Sequence, residues 1–268
     1  MLSFLHRQVV WITGASSGIG EAMAIAAAQQ GACLVLSARR ADELERVAAL
    51  CRQNGANSCM TLPLDVAQTD DIPQAVAQVQ SLHAGRIDIL VNNAGISQRA
   101  LALDTDLEVD KRLMAVNYIG TVALSKAVLP LMLAQGSGTL VTISSLVGKF
   151  ATPYRSGYAA SKHALHGFFD ALRAELYGKN IQITLLCPGF VRTTVTLNSL
   201  TENGEVYNQM DESTEKGMLP ADFARLAWQA VARRREEAYI GGRETWAVYL
   251  KRWLPRLFSR IVRRAKVK

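Results

Sequence analysis

At 268 residues and 49% hydrophobic, the chain is long enough to remove roughly three quarters of its unfolded surface from water, and no linker-like, low-complexity or repeated stretch divides it. Its formal net charge of +7 is concentrated at one end: eight basic residues and no acid lie between Lys251 and Lys268, leaving the rest near −1, which argues against a nucleic-acid partner. Cys33, Cys51, Cys59 and Cys187 have no metal-type or paired spacing, the few residues before the first apolar run leave no room for a secretory signal, and no stretch of 18 apolar residues lacks a charge, so a cytoplasmic protein with reduced thiols is expected.

Short β-branched runs recur along the chain, at Val9 to Thr13, Cys33 to Leu36, Cys59 to Leu64, Ile89 to Asn92, Thr139 to Ser144, Ile181 to Cys187 and Ala238 to Ile240. Segments of helical period separate them. Asp42 to Gln53 offers Asp42 and Glu45 as a capping box, and Asp71 to Leu82 carries Pro73 in its first turn. This alternation predicts an α/β chain, a single doubly wound Rossmann-type domain whose parallel seven-stranded sheet is covered by helices on both faces. The catalytic domain is placed at residues 1–242, with a basic amphipathic extension over 243–268. Right-handed crossovers would align the strand C-termini along one edge, where ligands of such sheets bind.

After the first strand comes Thr13-Gly14-Ala15-Ser16-Ser17-Gly18-Ile19-Gly20, followed by the helical run Glu21 to Gln30. Glycines permit tight turning and close backbone approach, and the N–H groups at a helix start favour a pyrophosphate. The second strand ends in Ala38-Arg39-Arg40. An acid there would accept from a ribose 2′-hydroxyl, whereas Arg39, and less strongly Arg40, would attract a 2′-phosphate, which favours NADP(H) over NAD(H).

Tyr158 and Lys162 stand four apart and share a helix face. A nearby ammonium favours phenolate, so Lys162 is expected to bring the tyrosine toward a value suited to acid/base work near neutrality. Ser145, thirteen residues earlier at a strand exit, is placed to hold the reacting oxygen. His163 and His166 lack companions at ligand spacing, and no metal is expected.

Taken together, Thr13-Gly14-x3-Gly18-Ile19-Gly20, Asn92-Asn93-Ala94-Gly95, Asn117, Ser145, Tyr158-x3-Lys162 and Pro188-Gly189 with Thr193 resemble the short-chain dehydrogenase/reductase family over about residues 8 to 240. The resemblance implies that Ser145 orients the substrate oxygen, Tyr158 is the general acid in reduction, Lys162 binds nicotinamide ribose hydroxyls, and Asn117 holds a relay water. It further places Asp65 and Val66 near adenine, Asn92, Ala94 and Gly95 at the adenosine and pyrophosphate side, Ile19 near the nicotinamide end, and Pro188, Gly189, Val191 and Thr193 at the nicotinamide. Ser16 and Ser17 belong to the phosphate turn. The resemblance implies a homodimer packing the Asn117 and Tyr158 helices, with a tetramer as the alternative; the usual Asp-Gly-Gly ending is replaced by Ile240-Gly241-Gly242-Arg243, which argues against the family's tetramer packing. Ser37-Ala38-Arg39-Arg40, Ser97-Gln98-Arg99 and Ser161-Lys162-His163-Ala164-Leu165 are similar to the branch that includes membrane-associated retinoid and steroid reductases.

An NADP(H)-dependent carbonyl reductase, reversible as an alcohol dehydrogenase, follows as the leading expectation, acting on a lipophilic small molecule. A dinucleotide-binding sensor or a membrane-associated interaction protein without turnover would not need the complete set Asn117, Ser145, Tyr158 and Lys162. The segment Phe190 to Leu219 is expected to be a mobile lid, with Phe190, Val191, Val195 and Leu197 facing substrate. In the extension, Trp246, Tyr249, Leu250, Trp253, Leu254, Leu257, Phe258 and Ile261 form an apolar stripe interrupted at Pro255. It would lie peripherally on an anionic membrane surface or dock on the protein's own body.

Overall fold

Along the inner strands the side chains alternate between two buried surfaces, and this alternation decides the architecture. The computed structural model describes residues 4–263; Arg264, Lys266 and Lys268 of the basic tail lie outside the described residues. Strands β1 (Val9–Thr13), β2 (Cys33–Ser37), β3 (Ser58–Thr61), β4 (Ile89–Asn92), β5 (Gly138–Ile143), β6 (Ile181–Pro188) and β7 (Glu237–Ile240) form one sheet in the order β3-β2-β1-β4-β5-β6-β7. All pairings are parallel. Val10, Ile12, Leu34, Leu36, Val91 and Ile143 pack to one face, against helices α1 (Gly18–Ala28), α2 (Ala41–Gln53) and α8 (Pro220–Ala232). Trp11, Val35, Leu90, Leu140 and Leu185 pack to the other, against α3 (Ile72–Leu82), α5 (Gly120–Ala134) and α6 (Ser156–Glu175).

The order reverses between β1 and β4, and the crevice at their C-terminal ends is the ligand position of such sheets. Buried Trp11 keeps its indole N–H paired, donating to Ser37 Oγ at 2.9 Å. The expected capping box does not form: α2 begins at Ala41 with Arg40 as its N-cap and no side-chain cap bond. Glu45 instead accepts from Thr61 Oγ1 at 2.6 Å, because the helix starts one residue before Asp42 and turns Glu45 toward β3. Pro73 does sit in the first turn of α3.

Helix α4 (Leu107–Met114) continues through a π-helical turn (Ala115–Ile119) into α5. By length and composition the run Leu107–Ala134 could cross a membrane; here Leu113, Asn117, Leu124, Val128 and Met132 are buried in the protein. At the other end of the chain, Pro255 separates α9 (Trp246–Trp253) from α10 (Pro255–Val262). These helices divide the apolar stripe. Val248 and Phe258 are buried against Val147, Phe150 and Cys187, with Phe258 and Phe150 ring centroids 5.3 Å apart. Trp246 and Trp253 remain 72% and 77% exposed, together with Tyr249, Leu254, Leu257 and Ile261.

Candidate active site

The glycine turn leaves β1 and enters α1 with Gly14 and Gly18 at φ near +62°, a conformation that glycine adopts without penalty. A side chain at Gly14 would stand 2.8 Å from Ala94 Cα, and one at Gly20 would meet Asn93 Nδ2 at 2.5 Å and the Gly14 carbonyl. Two side chains hold this close approach. Asn93 Nδ2 donates to the Thr13 and Gly14 carbonyls, both at 3.0 Å, and Thr13 Oγ1 accepts from the Asn93 and Ala94 backbone N–H groups at 3.1 Å. Sequence reasoning missed both, although each lies inside a motif it singled out.

A cavity of about 450 Å³ runs from this turn across the sheet edge. Gly14, Ser16, Ser17, Gly18, Ile19, Arg39 and Arg40 line one end, with Asp65, Val66, Ala94 and Gly95 alongside. Ser145, Tyr158, Lys162, Pro188, Gly189 and Val191 line the rest, and Thr193 stands against the turn at Gly18. Three expected site residues lie behind the wall instead. Asn92 is buried and donates to Ser125 Oγ at 2.9 Å, so it ties β4 to α5, and the edge position belongs to Asn93. Gly20 acts through space it leaves for the turn. Asn117, in the π-helical turn, accepts from Ile96 N at 2.8 Å and donates to Ile96 O and Ser161 Oγ at 2.9 Å, so both its N–H groups are engaged by protein.

At the adenosine end, Arg40 Nη2 donates to Ser16 Oγ at 3.2 Å and Ser17 Oγ at 3.4 Å. Arg39 is exposed at the cavity edge. Arg40, exposed like Arg39, is the arginine fixed over the turn.

At the reacting end, Ser145 follows β5 and starts a short 3₁₀ turn, its Oγ accepting from Val147 N at 3.3 Å. Lys162 is buried, donates from Nζ to the Ile143 carbonyl at 2.8 Å, and lies 5.9 Å from the Tyr158 ring centroid. Burial lowers its amine from an ordinary 10.5 to about 8. Tyr158 is reached from the cavity yet surrounded by protein, and burial raises its phenol; Arg155, the Ser145 hydroxyl and Arg99 act in the opposite sense. An amine at about 8 is still mostly charged at pH 7, and alongside it Arg155 and Arg99 are cations that favour the Tyr158 phenolate.

His163 and His166 are engaged locally. His163 Nδ1 pairs with the Ala159 carbonyl at 2.8 Å, and His166 Nε2 with Ser144 Oγ at 2.9 Å. Leu197 does not line the cavity, while Phe190, Val191 and Val195 do. The segment between β6 and α8, which includes the one-turn helix α7 (Glu212–Glu215), is more tied down than a polar lid, with Thr196, Ser199, Leu200, Asp211 and Thr214 all buried.

A glycine cradle, helix N–H groups and a lysine with N–H capacity beyond its one carbonyl fit a dinucleotide with its phosphates on the turn and a ribose near Lys162. The family model for short chain dehydrogenases matches residues 8–204. A dehydrogenase/reductase SDR family protein 7-like from Drosophila melanogaster is 43% identical over 98% of this chain and 82% of its own length. Dehydrogenase/reductase SDR family member 7B from Bos taurus is 40% identical over 98% and 82%. Among solved structures, a Burkholderia phymatum short-chain dehydrogenase/reductase in complex with NAD superposes with a TM-score of 0.84 at 25% identity, covering 94% of this chain and 95% of that one. An alcohol dehydrogenase from Thermococcus sibiricus complexed with 5-hydroxy-NADP gives 0.76 at 27%, covering 89% and 97%. Fold and site define a nicotinamide-dinucleotide oxidoreductase that acts on small molecules. The chain belongs to the short-chain dehydrogenase/reductase family.

Proposed function

We propose that the protein is an NADP(H)-dependent carbonyl reductase, reversible as an alcohol dehydrogenase, with Tyr158 as general acid/base. The observation that carries this reading is the convergence of Ser145, Tyr158 and Lys162 on one cavity continuous with the glycine turn. Bound nicotinamide would supply or accept the hydride. Ser145 Oγ and the Tyr158 phenol would hold the substrate oxygen, the phenol giving its proton in reduction and taking it back in oxidation. Lys162 would donate to ribose hydroxyls. The absence of an acid at Ala38, with Arg39 and Arg40 beside it, supports a 2′-phosphate. Phe190, Val191, Val195, Leu200 and Val206 give the substrate end an apolar wall, which suits a lipophilic ketone, aldehyde or alcohol. Tyr158→Phe should reduce turnover by at least ~10²-fold while NADPH still binds; turnover within a few-fold of wild type would refute the assignment.

The exposed half of the C-terminal stripe supports peripheral contact with an anionic membrane at its cytoplasmic face, since Trp246, Trp253, Leu254, Leu257 and Ile261 stand beside Lys251, Arg252, Arg256 and Arg260. Half-buried Ala123, Ala127, Ala164 and Phe168 on α5 and α6 suit a homodimer face. Light scattering that shows only monomer at micromolar concentration would exclude that assembly.

A further inference from the structure

One charge cluster at the cavity wall makes no bond in the reaction just described. Arg99 and Asp211 have side chains 3% and 6% exposed and come from positions 112 residues apart. Arg99 Nε donates to Asp211 Oδ2 at 3.1 Å, and Nη2 also donates to that oxygen; its other donors reach Gln98 O at 2.8 Å, Ser97 Oγ at 3.2 Å and Thr196 Oγ1 at 3.3 Å. Arg155 Nη2 donates to the same Asp211 oxygen at 3.2 Å. One carboxylate therefore faces two buried guanidiniums, and burial pulls Arg155 down to about 10. Replacing a buried ion pair by apolar side chains of similar volume is often neutral or stabilising, so the pair by itself is weak evidence of a stabilising role.

Its connections give the arrangement a reason. Gln98 Oε1, next to Arg99, accepts from the backbone N–H groups of Gly157 at 2.9 Å and Tyr158 at 3.3 Å, capping the first turn of α6. Arg99 N donates to Leu200 O, and Leu200 N to Ser97 O, both at 2.8 Å, which stitches the same segment to the loop between β6 and α8. Ala100 N donates to Tyr154 O at 3.1 Å, fixing the approach to α6. Arg155 stands three residues before Tyr158.

We propose that Arg99, Asp211 and Arg155 are positioning residues: Asp211 locks the substrate loop onto the segment that caps the catalytic helix and, through the same contact, holds the Arg155 guanidinium beside Tyr158. Seating of the loop and preparation of the tyrosine are then one event. The proposal rests on Tyr158 being the acid/base. The charged and titratable groups around Tyr158 are Arg155 at the start of its own helix, Arg99 from the segment after β4, Lys162 one turn further along α6 and, against Gly157, Asp110 of α4; Ser145 faces it from the exit of β5.

The test uses the full-length protein, with 4-nitrobenzaldehyde and NADPH for reduction and 4-nitrobenzyl alcohol and NADP⁺ for oxidation. Asp211→Asn should increase backbone hydrogen exchange over residues 196–214 and raise KM about tenfold, with a smaller fall in kcat. Should that variant fail to fold, Thr196→Val makes a milder cut in the same seat and should raise exchange over the same residues. Oxidation requires the phenolate, so kcat/KM rises with pH through the tyrosine pKa. Removing a cation raises that pKa, and Arg155→Gln should move the rising limb upward by about one pH unit, with Arg155→Lys bringing it back. An unmoved limb, a lysine variant that fails to restore it, or unchanged loop exchange in Asp211→Asn overturns the proposal. Wild-type protein with no turnover would instead refute the reductase reading, and loop exchange in Asp211→Asn would then decide the lock by itself.

Discussion

Lys162→Met separates what the active site needs from what the fold prefers. The wild-type amine is buried with the Ile143 carbonyl at 2.8 Å and sits at about 8 against an ordinary 10.5. That gap corresponds to roughly 3 kcal/mol by which the folded protein disfavours the charged form. Methionine keeps the length and removes the charge, but leaves the Ile143 carbonyl short of a partner, a loss of about 1–3 kcal/mol. At pH 7 the variant should therefore match or exceed wild type by up to ~2 kcal/mol, or a few degrees in Tm for a chain of this size. The unfolded chain keeps this proton up to about 10.5 and the folded chain releases it near 8. Wild type accordingly gains stability from this group as pH rises through that window, so the variant's advantage should vanish by pH 10. Thermal unfolding of both proteins at pH 7 and pH 10 measures this. Taking the difference between them cancels groups that Lys162 does not act on, such as Tyr239, whose phenol burial raises. Turnover should fall by at least ~10²-fold. A variant several degrees less stable at pH 7, or an equal difference at both pH values, would refute the reasoning.

Gly20→Ala places a methyl group against Asn93 Nδ2 and the Gly14 carbonyl; it should destabilise the protein by about 1–3 kcal/mol and weaken NADPH binding measured by fluorescence titration, unlike Gly167→Ala, which meets open space. Arg39→Ala and Arg40→Ala should each narrow the ratio of kcat/KM for NADPH over NADH, with Arg40 also loosening Ser16 and Ser17; an unaltered ratio in both would remove the 2′-phosphate reading. A Trp246→Ser/Trp253→Ser variant should lose co-sedimentation with phosphatidylserine vesicles at low salt while cofactor binding is kept, and wild-type protein that stays in the supernatant would exclude the membrane contact.

The inner strands were legible because both sheet faces are buried, which makes runs such as Val9 to Ile12 continuously apolar. Local spacing also carried the glycine turn and the shared face of Tyr158 and Lys162. Contacts between distant segments were not legible. Nothing near Arg99 in sequence announces Asp211, and adjacent Asn92 and Asn93 differ only in which side of a strand end each faces. Burial was the other missing quantity: spacing puts an ammonium near Tyr158, but only the surroundings show how far that ammonium is desolvated. The apolar stripe of the extension was visible as a whole, whereas its division into a docked side and a bare side depends on where Phe150 and Val147 lie.

That docking makes the chain's end unsuitable as a handle. Phe258 and Val248 share a small core with Leu146 and Val147, the residues just after Ser145, and with Ala159, the residue just after Tyr158. Trimming the chain back to Gly242 would uncover the underside of both reacting groups, so a shortened protein that lost activity would say nothing about lipid. A reporter would do better inserted at the exposed turn around Gly178, where an added side chain meets open space.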